Sequence, residues 1–354
     1  MTIDLRSDTV TRPSAGMLDF MMNAKVGDMV MDEDPSVNEL EARIAELFSA
    51  EAALFCPSGT MSNQIAIKLH TSPGDDVICS KLAHIYQYEG GGIAFNSGAS
   101  VTLIDSPDGL FTAEDVLNSI QPDDPHKPRT SCVTIENTVN RGGGRVWNHE
   151  EVVGISKVCR SNGLAFHLDG ARIFNALART KVNPAILGGL FDTISVCLSK
   201  GLGAPVGTML MGSSDNIKTG KRIRKVLGGT MRQAGYLAAA GIWALENNIE
   251  RLEEDHYNAS RVAEAMKKTD WVISIKPVDT NIIAATVSEK INSAAVAGFL
   301  KQKGLLCLPV TNDSVRLVTH LDATGELIER AIGIISSTDL EMIENSLKKP
   351  KVSQ

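Results

Sequence analysis

Residues 164–200, LAFHLDGARIFNALARTKVNPAILGGLFDTISVCLSK, carry the clearest indication of the fold class. This stretch contains two short apolar runs, at 164–168 and 193–198, and a charged residue, Asp169 or Lys200, comes at or just after the end of each run. Apolar runs joined by a helical pattern are typical of neighbouring parallel strands, because a parallel connection needs a crossover. The stretch therefore predicts two parallel strands with polar groups at their carboxyl ends.

The same alternation extends outward in both directions. Further short apolar runs lie at 52–55, 76–79, 100–104, 132–135 and 208–211. The sequence therefore predicts an α/β fold with a mainly parallel, doubly wound sheet in a large domain. A long helix around 236–268 and a mixture of strands and helices after it predict a smaller α+β domain. We place an N-terminal arm plus the large domain at 1–245 and the small C-terminal domain at 246–354.

Composition narrows the class of protein. The 354 residues are 43% hydrophobic and 22% charged, with a net charge of −7, which argues against nucleic acid or a membrane as a partner. Polar and acidic residues precede any apolar stretch at the N-terminus, so no secretory signal is expected. Six cysteines lack a CxxC pair and zinc-ligand spacing, which predicts reduced thiols, a cytoplasmic protein and no metal site.

Three polar features are predicted at strand ends, where open parallel sheets bind their ligands. Ser58, Gly59 and Thr60 begin a helix, so their backbone N–H groups could bind a phosphate; an ordinary helix cap is the alternative. Asp169 is either a functional carboxylate or a solvated turn residue. Lys200 directly follows a buried strand, and burial there would lower the pKa of its amine and make it nucleophilic.

An anion site, a carboxylate and a lysine on strand ends match the needs of pyridoxal 5′-phosphate (PLP). This cofactor requires a lysine for a Schiff base, a carboxylate beside its ring nitrogen and a phosphate site. An aromatic or imidazole ring usually stacks on it, and His84 or Tyr86 could do so, although His84 could equally be a hydrogen-bonded helix-start residue. The glycine-rich segment 201–207 does not predict a dinucleotide site, because Pro205 interrupts it and a strand follows.

Eight segments together form a specific pattern. They are 5–11 (LRSDTVT), 57–61 (PSGTM), 135–138 (IENT), 167–172 (HLDGAR), 197–202 (CLSKGL), Gly207, 231–235 (MRQAG) and 316–320 (RLVTH). In this order they resemble the low-specificity L-threonine aldolases, which belong to the fold type I (aspartate-aminotransferase-like) PLP enzymes. The resemblance covers essentially the whole chain.

The resemblance implies a set of site residues. The cofactor-binding residues would be Ser58, Gly59, Thr60, His84, Asp169, Arg172, Ser199, Lys200, Lys225 and Arg232. Lys200 would carry PLP as a Schiff base, and Asp169 would pair with the ring nitrogen. The substrate carboxylate would be bound by Ser7, Arg172 and Arg316. The general base would be His84, His126 or a bound water.

The resemblance also implies an activity. It is the retro-aldol cleavage of L-threonine, L-allo-threonine and related β-hydroxy-α-amino acids to glycine and an aldehyde such as acetaldehyde. A cytoplasmic homotetramer with active sites at a dimer interface is implied as well. The alternatives are another fold type I reaction, by a transaminase or a β-eliminating lyase, or a PLP-binding regulator.

The chain departs from the usual family pattern at Met31, Gln87, Lys127, Val139 and Thr230. These changes could border the pocket for the substrate side chain. They leave the predicted cofactor residues intact. The sequence therefore predicts the reaction but not the preference between L-threonine and L-allo-threonine.

Overall fold

The computed structural model describes residues 2–348 of the chain. Its strands are β1 (Ile3–Asp4), β2 (Ala52–Cys56), β3 (Asp76–Ser80), β4 (Ser100–Ile104), β5 (Thr130–Glu136), β6 (Ala165–Gly170), β7 (Thr193–Cys197), β8 (Thr208–Gly212), β9 (Val272–Ile275), β10 (Ile282–Val287), β11 (Leu305–Leu306), β12 (Leu308–Thr311) and β13 (Ser314–Val318). Its α-helices are α1 (Ala15–Met22), α2 (Pro35–Leu47), α3 (Gly59–His70), α4 (His84–Gln87), α5 (Ala113–Ser119), α6 (His149–Ser161), α7 (Ile173–Thr180), α8 (Pro184–Gly188), α9 (Ser214–Val226), α10 (Gly235–Asn247), α11 (Leu252–Met266), α12 (Ser293–Gln302), α13 (Gly325–Ser336) and α14 (Leu340–Lys348).

The chain divides into two compact units between Ile249 and Glu250. The large unit is Arg12–Ile249, and the C-terminal unit combines the described residues after Ile249 with those before Arg12. The sequence interpretation had grouped the first residues with the large domain. They belong to the C-terminal unit because β1 pairs in parallel with β11, a partnership of two-residue strands that no local pattern reveals.

The large unit is built on a seven-stranded sheet in the order β2-β8-β7-β6-β5-β3-β4. Strands β7, β6, β5, β3 and β4 are parallel, whereas β8 is antiparallel to both of its neighbours, β2 and β7. The predicted α/β class with a mainly parallel sheet is confirmed. Because β2 and β7 run in the same direction, the carboxyl ends of β2, β7, β6, β5 and β3 lie along one edge of the sheet.

Burial explains why these strands read as continuous apolar runs. All residues of β3, β5 and β7 are buried. Strands covered on both faces have no solvent-facing side, so apolar and polar residues do not alternate along them. A charged residue at the end of such a strand is therefore easy to recognise in the sequence as a candidate functional residue.

The C-terminal unit contains a four-stranded antiparallel sheet in the order β12-β13-β10-β9. Its core includes the fully buried Trp271, together with Ile283 of β10, Phe299 of α12 and Leu317 of β13. This arrangement agrees with the predicted smaller α+β domain. Strand β13 carries Arg316, whose neighbours Val315 and Leu317 point into that core.

The predicted long helix around 236–268 is two helices, α10 and α11. The chain leaves the helix after two consecutive asparagines, Asn247 and Asn248, which have low helix propensity. The side chain of Asn248 instead donates to the carbonyl of Leu202 at 2.7 Å. Among the helices of residues 2–348, none has both the length and the apolar character needed to cross a membrane.

Candidate active site

A cavity of about 250 Å³ lies in the large unit at the carboxyl ends of β2, β6 and β7. Its lining is formed by Pro57, Ser58, Gly59, Thr60, Asn63, His84, Asp169, Ala171, Cys197, Ser199, Lys200, Pro205 and Val206. Seven of these residues were predicted for the site from the sequence. The structure therefore brings together the predicted anion cradle, carboxylate, histidine and lysine.

The anion cradle is the first turn of α3, which follows β2 directly. Ser58 is the helix cap, and its Oγ accepts a hydrogen bond from the backbone N–H of Met61 at 3.2 Å. A Cβ on Gly59 would lie 2.8 Å from the Sγ of Cys197, so only glycine lets the helix start lie this close to β7. Helix N-termini attract anions through free N–H groups and the helix dipole. The two alternatives for Ser58 are therefore compatible, because it caps the helix and lines the cavity.

Asp169 is a buried carboxylate at the end of β6, with 3% of its surface exposed. Its Oδ2 accepts from Asn63 Nδ2 at 3.0 Å, and its Oδ1 accepts from the backbone N–H of Ala171 at 3.1 Å. Donors on both oxygens hold the carboxylate in one orientation. The geometry therefore suits a group that stabilises a positive charge inside the cavity, which the protonated ring nitrogen of PLP would provide.

Lys200 and Ser199 follow β7 and are both half-buried. They line the same cavity as Asp169 and the start of α3. Arg172, which comes three residues after Asp169, is buried and precedes the first residue of α7. A lysine amine, a carboxylate and a helix N-terminus around one cavity form the donor set that PLP requires, so the residues present fit this cofactor.

Glu136 ends β5 directly opposite Asp169 in the sheet register. Its two oxygens accept from the backbone N–H groups of His84 at 3.0 Å and Asn140 at 3.1 Å. Burial and then the nearby charge of Asp169 raise the pKa of Glu136 to about 7. This residue therefore holds the start of α4 in place and can carry a proton near neutral pH.

His84 is paired with a second carboxylate that the sequence analysis missed. Its Nδ1 lies 3.0 Å from Oε1 of Glu89, whose side chain is fully buried. Burial by itself would lower the pKa of His84, but the hydrogen bond to Glu89 and the charges of Asp169 and Glu136 outweigh it and raise the pKa. Because Glu89 accepts, Nδ1 carries a proton and Nε2 is left to accept one.

Ligand atoms of His84, Glu89 and Asp169 lie within 4.8 Å of one another, close enough to hold a metal ion. The sequence predicted no metal. These three side chains are linked by hydrogen bonds, because Asn63 donates to both carboxylates and His84 bonds to Glu89. The cluster therefore satisfies its own polar groups without a cation.

Six predicted site residues are absent from the lining of this cavity as the described residues form it, and three of the six, His126, Lys225 and Arg232, are exposed. His126 is 89% exposed, and its Nδ1 is 2.8 Å from Oδ1 of Asp124. Lys225 is exposed near the end of α9. Arg232 is 60% exposed and donates to Asp28 at 2.9 Å. Their roles at the site stay predictions.

The two other residues predicted for the substrate carboxylate, Ser7 and Arg316, lie in the C-terminal unit. Arg316 donates from Nη2 to the backbone carbonyl of Arg6 at 3.2 Å, which places it beside Ser7 in the chain. The hydroxyl of Ser7 accepts from the backbone N–H of Thr9 at 3.3 Å. The structure thus brings the two residues together, and their binding role stays a prediction.

Two polar residues of the site, Asn63 and Glu89, were not identified from the sequence. Asn63 follows Gly59 by one helical turn, so its position on α3 was the available signal. Glu89 comes five residues after His84, just beyond the end of α4. A neutral amide in a helix and an acid in a loop are common on protein surfaces, so neither residue type signals a buried site.

Comparisons with known proteins agree over nearly the whole chain. Residues 4–290 match the family model of the beta-eliminating lyases. The low specificity L-threonine aldolase of Escherichia coli (strain K12) is 44% identical over 325 residues, covering 92% of this chain and 95% of that protein. Low-specificity L-threonine aldolase 1 of Arabidopsis thaliana is 36% identical over 354 residues, 98% of each chain.

The solved structure of a Leishmania major threonine aldolase has the same fold. Its TM-score is 0.81 at 22% identity, with 94% of this chain and 98% of that chain covered. The sequence motifs, the cavity and the two full-length relatives thus point to one family. The chain belongs to the low-specificity L-threonine aldolases, within the beta-eliminating lyases.

Proposed function

We propose that the protein is a carbon–carbon lyase that cleaves L-threonine or L-allo-threonine, and related β-hydroxy-α-amino acids, to glycine and an aldehyde such as acetaldehyde. The observation that carries the proposal is that Lys200, Asp169 and the first turn of α3 line one and the same cavity. Relatives with this named activity cover more than nine-tenths of the chain at 44% and 36% identity. The reaction consumes threonine and supplies glycine.

PLP is the cofactor for which these residues are suited. Lys200 would attach it, Asp169 would keep its ring nitrogen protonated, and the N–H groups of Gly59 and Thr60 would bind its phosphate with Ser199. When bound, PLP supplies an electron sink for the electron pair left at the substrate Cα. The contribution of the chain is to fix the orientation and protonation of the groups around it.

His84 is the general base that the geometry supports best. It lines the cavity, whereas His126 lies outside it and is 89% exposed. With Nδ1–H bonded to Glu89, Nε2 can take the proton of the substrate hydroxyl as the Cα–Cβ bond breaks and the hydroxyl carbon becomes the aldehyde carbonyl. General-base assistance of this kind is worth about 10²–10⁴-fold in rate. A stacking role on the cofactor ring is compatible with the same position.

The substrate carboxylate is assigned to Ser7, Arg172 and Arg316 on the strength of the family resemblance. An arginine guanidinium can donate two parallel hydrogen bonds to a carboxylate, which fixes direction as well as distance. That orientation matters because the bond to be broken must be aligned with the electron sink. Arg316 lies on a core strand, which limits its freedom to move.

A homotetramer in the cytoplasm is part of the proposal. His126, Lys225 and Arg232 are exposed on the protomer, as residues that act at a neighbouring subunit's site would be. Light scattering should then give about four times the 37.9 kDa chain mass. A monomer with full activity would contradict this part.

The reaction class is tested by a product balance. Purified protein with added PLP is incubated with L-threonine, and glycine, acetaldehyde and 2-oxo acids are quantified together. Equal amounts of glycine and acetaldehyde support the proposal. A 2-oxo acid with ammonia would instead identify a β-eliminating lyase, and a 2-oxo acid formed only with an amino-group acceptor would identify a transaminase.

A further inference from the structure

Asn63 bonds to two carboxylates of the site at once. Its Nδ2 lies 3.0 Å from Oδ2 of Asp169 and 2.9 Å from Oε1 of Glu89. An amide nitrogen has two hydrogens, so these contacts use both of them. Asn63 is 2% exposed, so water does not compete for the bonds. The reversed amide would place its oxygen against two carboxylate oxygens, which fixes the orientation of the side chain.

The oxygen of the same amide is hydrogen-bonded to a buried histidine, His167. Oδ1 of Asn63 can only accept, and Nε2 of His167 lies 3.2 Å from it, so Nε2 carries a proton. Burial lowers the pKa of His167 to about 4, which keeps the ring neutral. Nδ1 lies 2.9 Å from Oγ1 of Thr193, which can donate to it, and 3.2 Å from the backbone carbonyl oxygen of Thr193. Oγ1 of Thr193 can in turn accept from Nε2 of His70 at 3.0 Å.

We propose that Asn63 is a positioning residue that couples Asp169 to the Glu89–His84 pair, with its amide oriented by His167. The roles of Asp169 and His84 in this statement rest on the proposed function. The amide of Asn63 fixes the position of two carboxylates. One is Asp169, which would face the cofactor ring, and the other is Glu89, which fixes the tautomer of His84. Two functions of the site are thereby tied to one side chain.

The arrangement also explains how several acids share this space. Glu136, Asp169 and Glu89 are all close enough to His84 to influence its charge. Negative charges that lie this close together disfavour each other's ionised forms. A neutral donor between Asp169 and Glu89 compensates the charge of both without adding a third titrating group. Asn63 is thus specific in its chemistry, since an aspartate would add repulsion and an aliphatic residue would leave both acids short of a donor.

The first test replaces Asn63 by leucine, which has a similar shape and no hydrogen-bonding atoms. Two readouts are needed: the Kd of PLP for the cofactor-free protein, measured by fluorescence titration, and kcat for L-threonine. Loss of one hydrogen bond to a charged group corresponds to about a tenfold change, so N63L should raise the PLP Kd and lower kcat, each about tenfold. E89Q should lower kcat while it leaves the PLP Kd within about twofold.

Ser62→Ala is the matched control on the same helix. Ser62 is fully buried, and among the described residues its hydroxyl has no hydrogen-bond partner. This variant should keep both readouts of the wild type. The combination N63L with E89Q should lower kcat by less than the product of the two single effects, because both changes act on one pair.

The second test addresses the orientation of the amide and does not need N63L to fold. Gln at position 167 can place an N–H near that of the His167 Nε2, whereas Leu cannot. H167Q should therefore keep the PLP Kd within about threefold of the wild type, and H167L should raise it about tenfold.

An unchanged PLP Kd in folded N63L would overturn the coupling, and equal Kd values in H167Q and H167L would overturn the orienting role of His167. Failure of the proposed function would look different. The wild type would then release no acetaldehyde, while the PLP titrations of the variants would still report on Asn63.

Discussion

At the residue scale, the site contains three buried acids whose surroundings differ. Asp169 receives two N–H donors, Glu89 receives donors on both oxygens, and Glu136 faces the charge of Asp169 in a fully buried position. His84 contacts both Glu89 and, through its backbone, Glu136. The different roles proposed for these groups follow from their hydrogen bonds and not from their residue types.

The first prediction concerns Glu89. Replacement by glutamine removes the charge that supports His84 and places an amide nitrogen among donors, so kcat for L-threonine should fall about 10- to 100-fold. PLP binding should change little, because Asp169 keeps its own donors. Steady-state kinetics with a PLP titration on the same preparation measure both. A normal kcat would show that Glu89 does not act through His84.

The second prediction concerns Glu136 and pH. Its pKa is about 7 in the folded, cofactor-free protein and close to 4.5 in the unfolded chain. The native state therefore binds more protons, and this group's contribution to stability is present below pH 4.5 and lost as the pH rises through about 7. The loss should approach about 3 kcal/mol.

This loss of stability is measured by urea unfolding of the cofactor-free protein between pH 5 and 8, at fixed protein concentration. The wild type should lose stability relative to Glu136→Gln as the pH rises. Parallel pH profiles for the two proteins would contradict the raised pKa.

Some of the residues that surround the cavity could be selected from the sequence and others could not, for a physical reason. Asp169 lies near the end of β6 and Lys200 lies three residues after β7. Charged side chains next to buried apolar strands are uncommon, so the sequence singles these two residues out. Asn63 and Glu89 lie in segments that resemble any helix and loop. Their importance arises only when the sheet order brings β2, β6 and the start of α4 together.

At the scale of elements, the site depends on the close approach of α3 to β7. A methyl group on Gly59 would lie 2.8 Å from Sγ of Cys197. Gly59→Ala should therefore lower the free energy of unfolding by about 1–3 kcal/mol and weaken PLP binding. Cys197→Ala removes the opposing sulfur, so the double variant should recover most of the loss. Additive losses in denaturation experiments would show that the sulfur is not what Gly59 avoids.

The fourth prediction concerns Arg316 on β13. Under the proposed role, Arg316 binds the substrate carboxylate through two hydrogen bonds. Arg316→Ala should then raise KM about 10- to 100-fold and leave the PLP Kd unchanged. Arg6→Ala is the matched control, because it removes an exposed, neighbouring cation but retains the carbonyl that Arg316 contacts. Unchanged threonine kinetics in Arg316→Ala, or the same KM increase in both variants, would contradict the assignment.

Elements were predictable where a segment carries its own pattern. The buried strands of the large unit and the helices α2 and α3 were identified from apolar runs and helical periodicity. The two-residue strands β1 and β11 were not, because each is defined by its partner and not by its own residues. The break between α10 and α11 was missed because the helix formers on both sides outweighed two asparagines in the pattern.

At the scale of the whole molecule, the order of apolar runs and helices predicted the α/β class, since parallel strands need crossovers. The sequence could not predict which strands become neighbours, and that order decides which side chains meet in the cavity. The reversed direction of β8 between β2 and β7 is one example. The grouping of the first residues with the C-terminal unit is another, because it depends on contacts between distant parts of the chain.

The most direct test of the account is acetaldehyde release from L-threonine and L-allo-threonine, measured with purified wild type and Lys200→Ala side by side in the presence of PLP. The wild type should release acetaldehyde from at least one of the two substrates. Lys200→Ala should release almost none and should not attach PLP covalently. A wild type that binds PLP through Lys200 but releases no acetaldehyde from either amino acid would contradict the proposed reaction, as would full activity in Lys200→Ala.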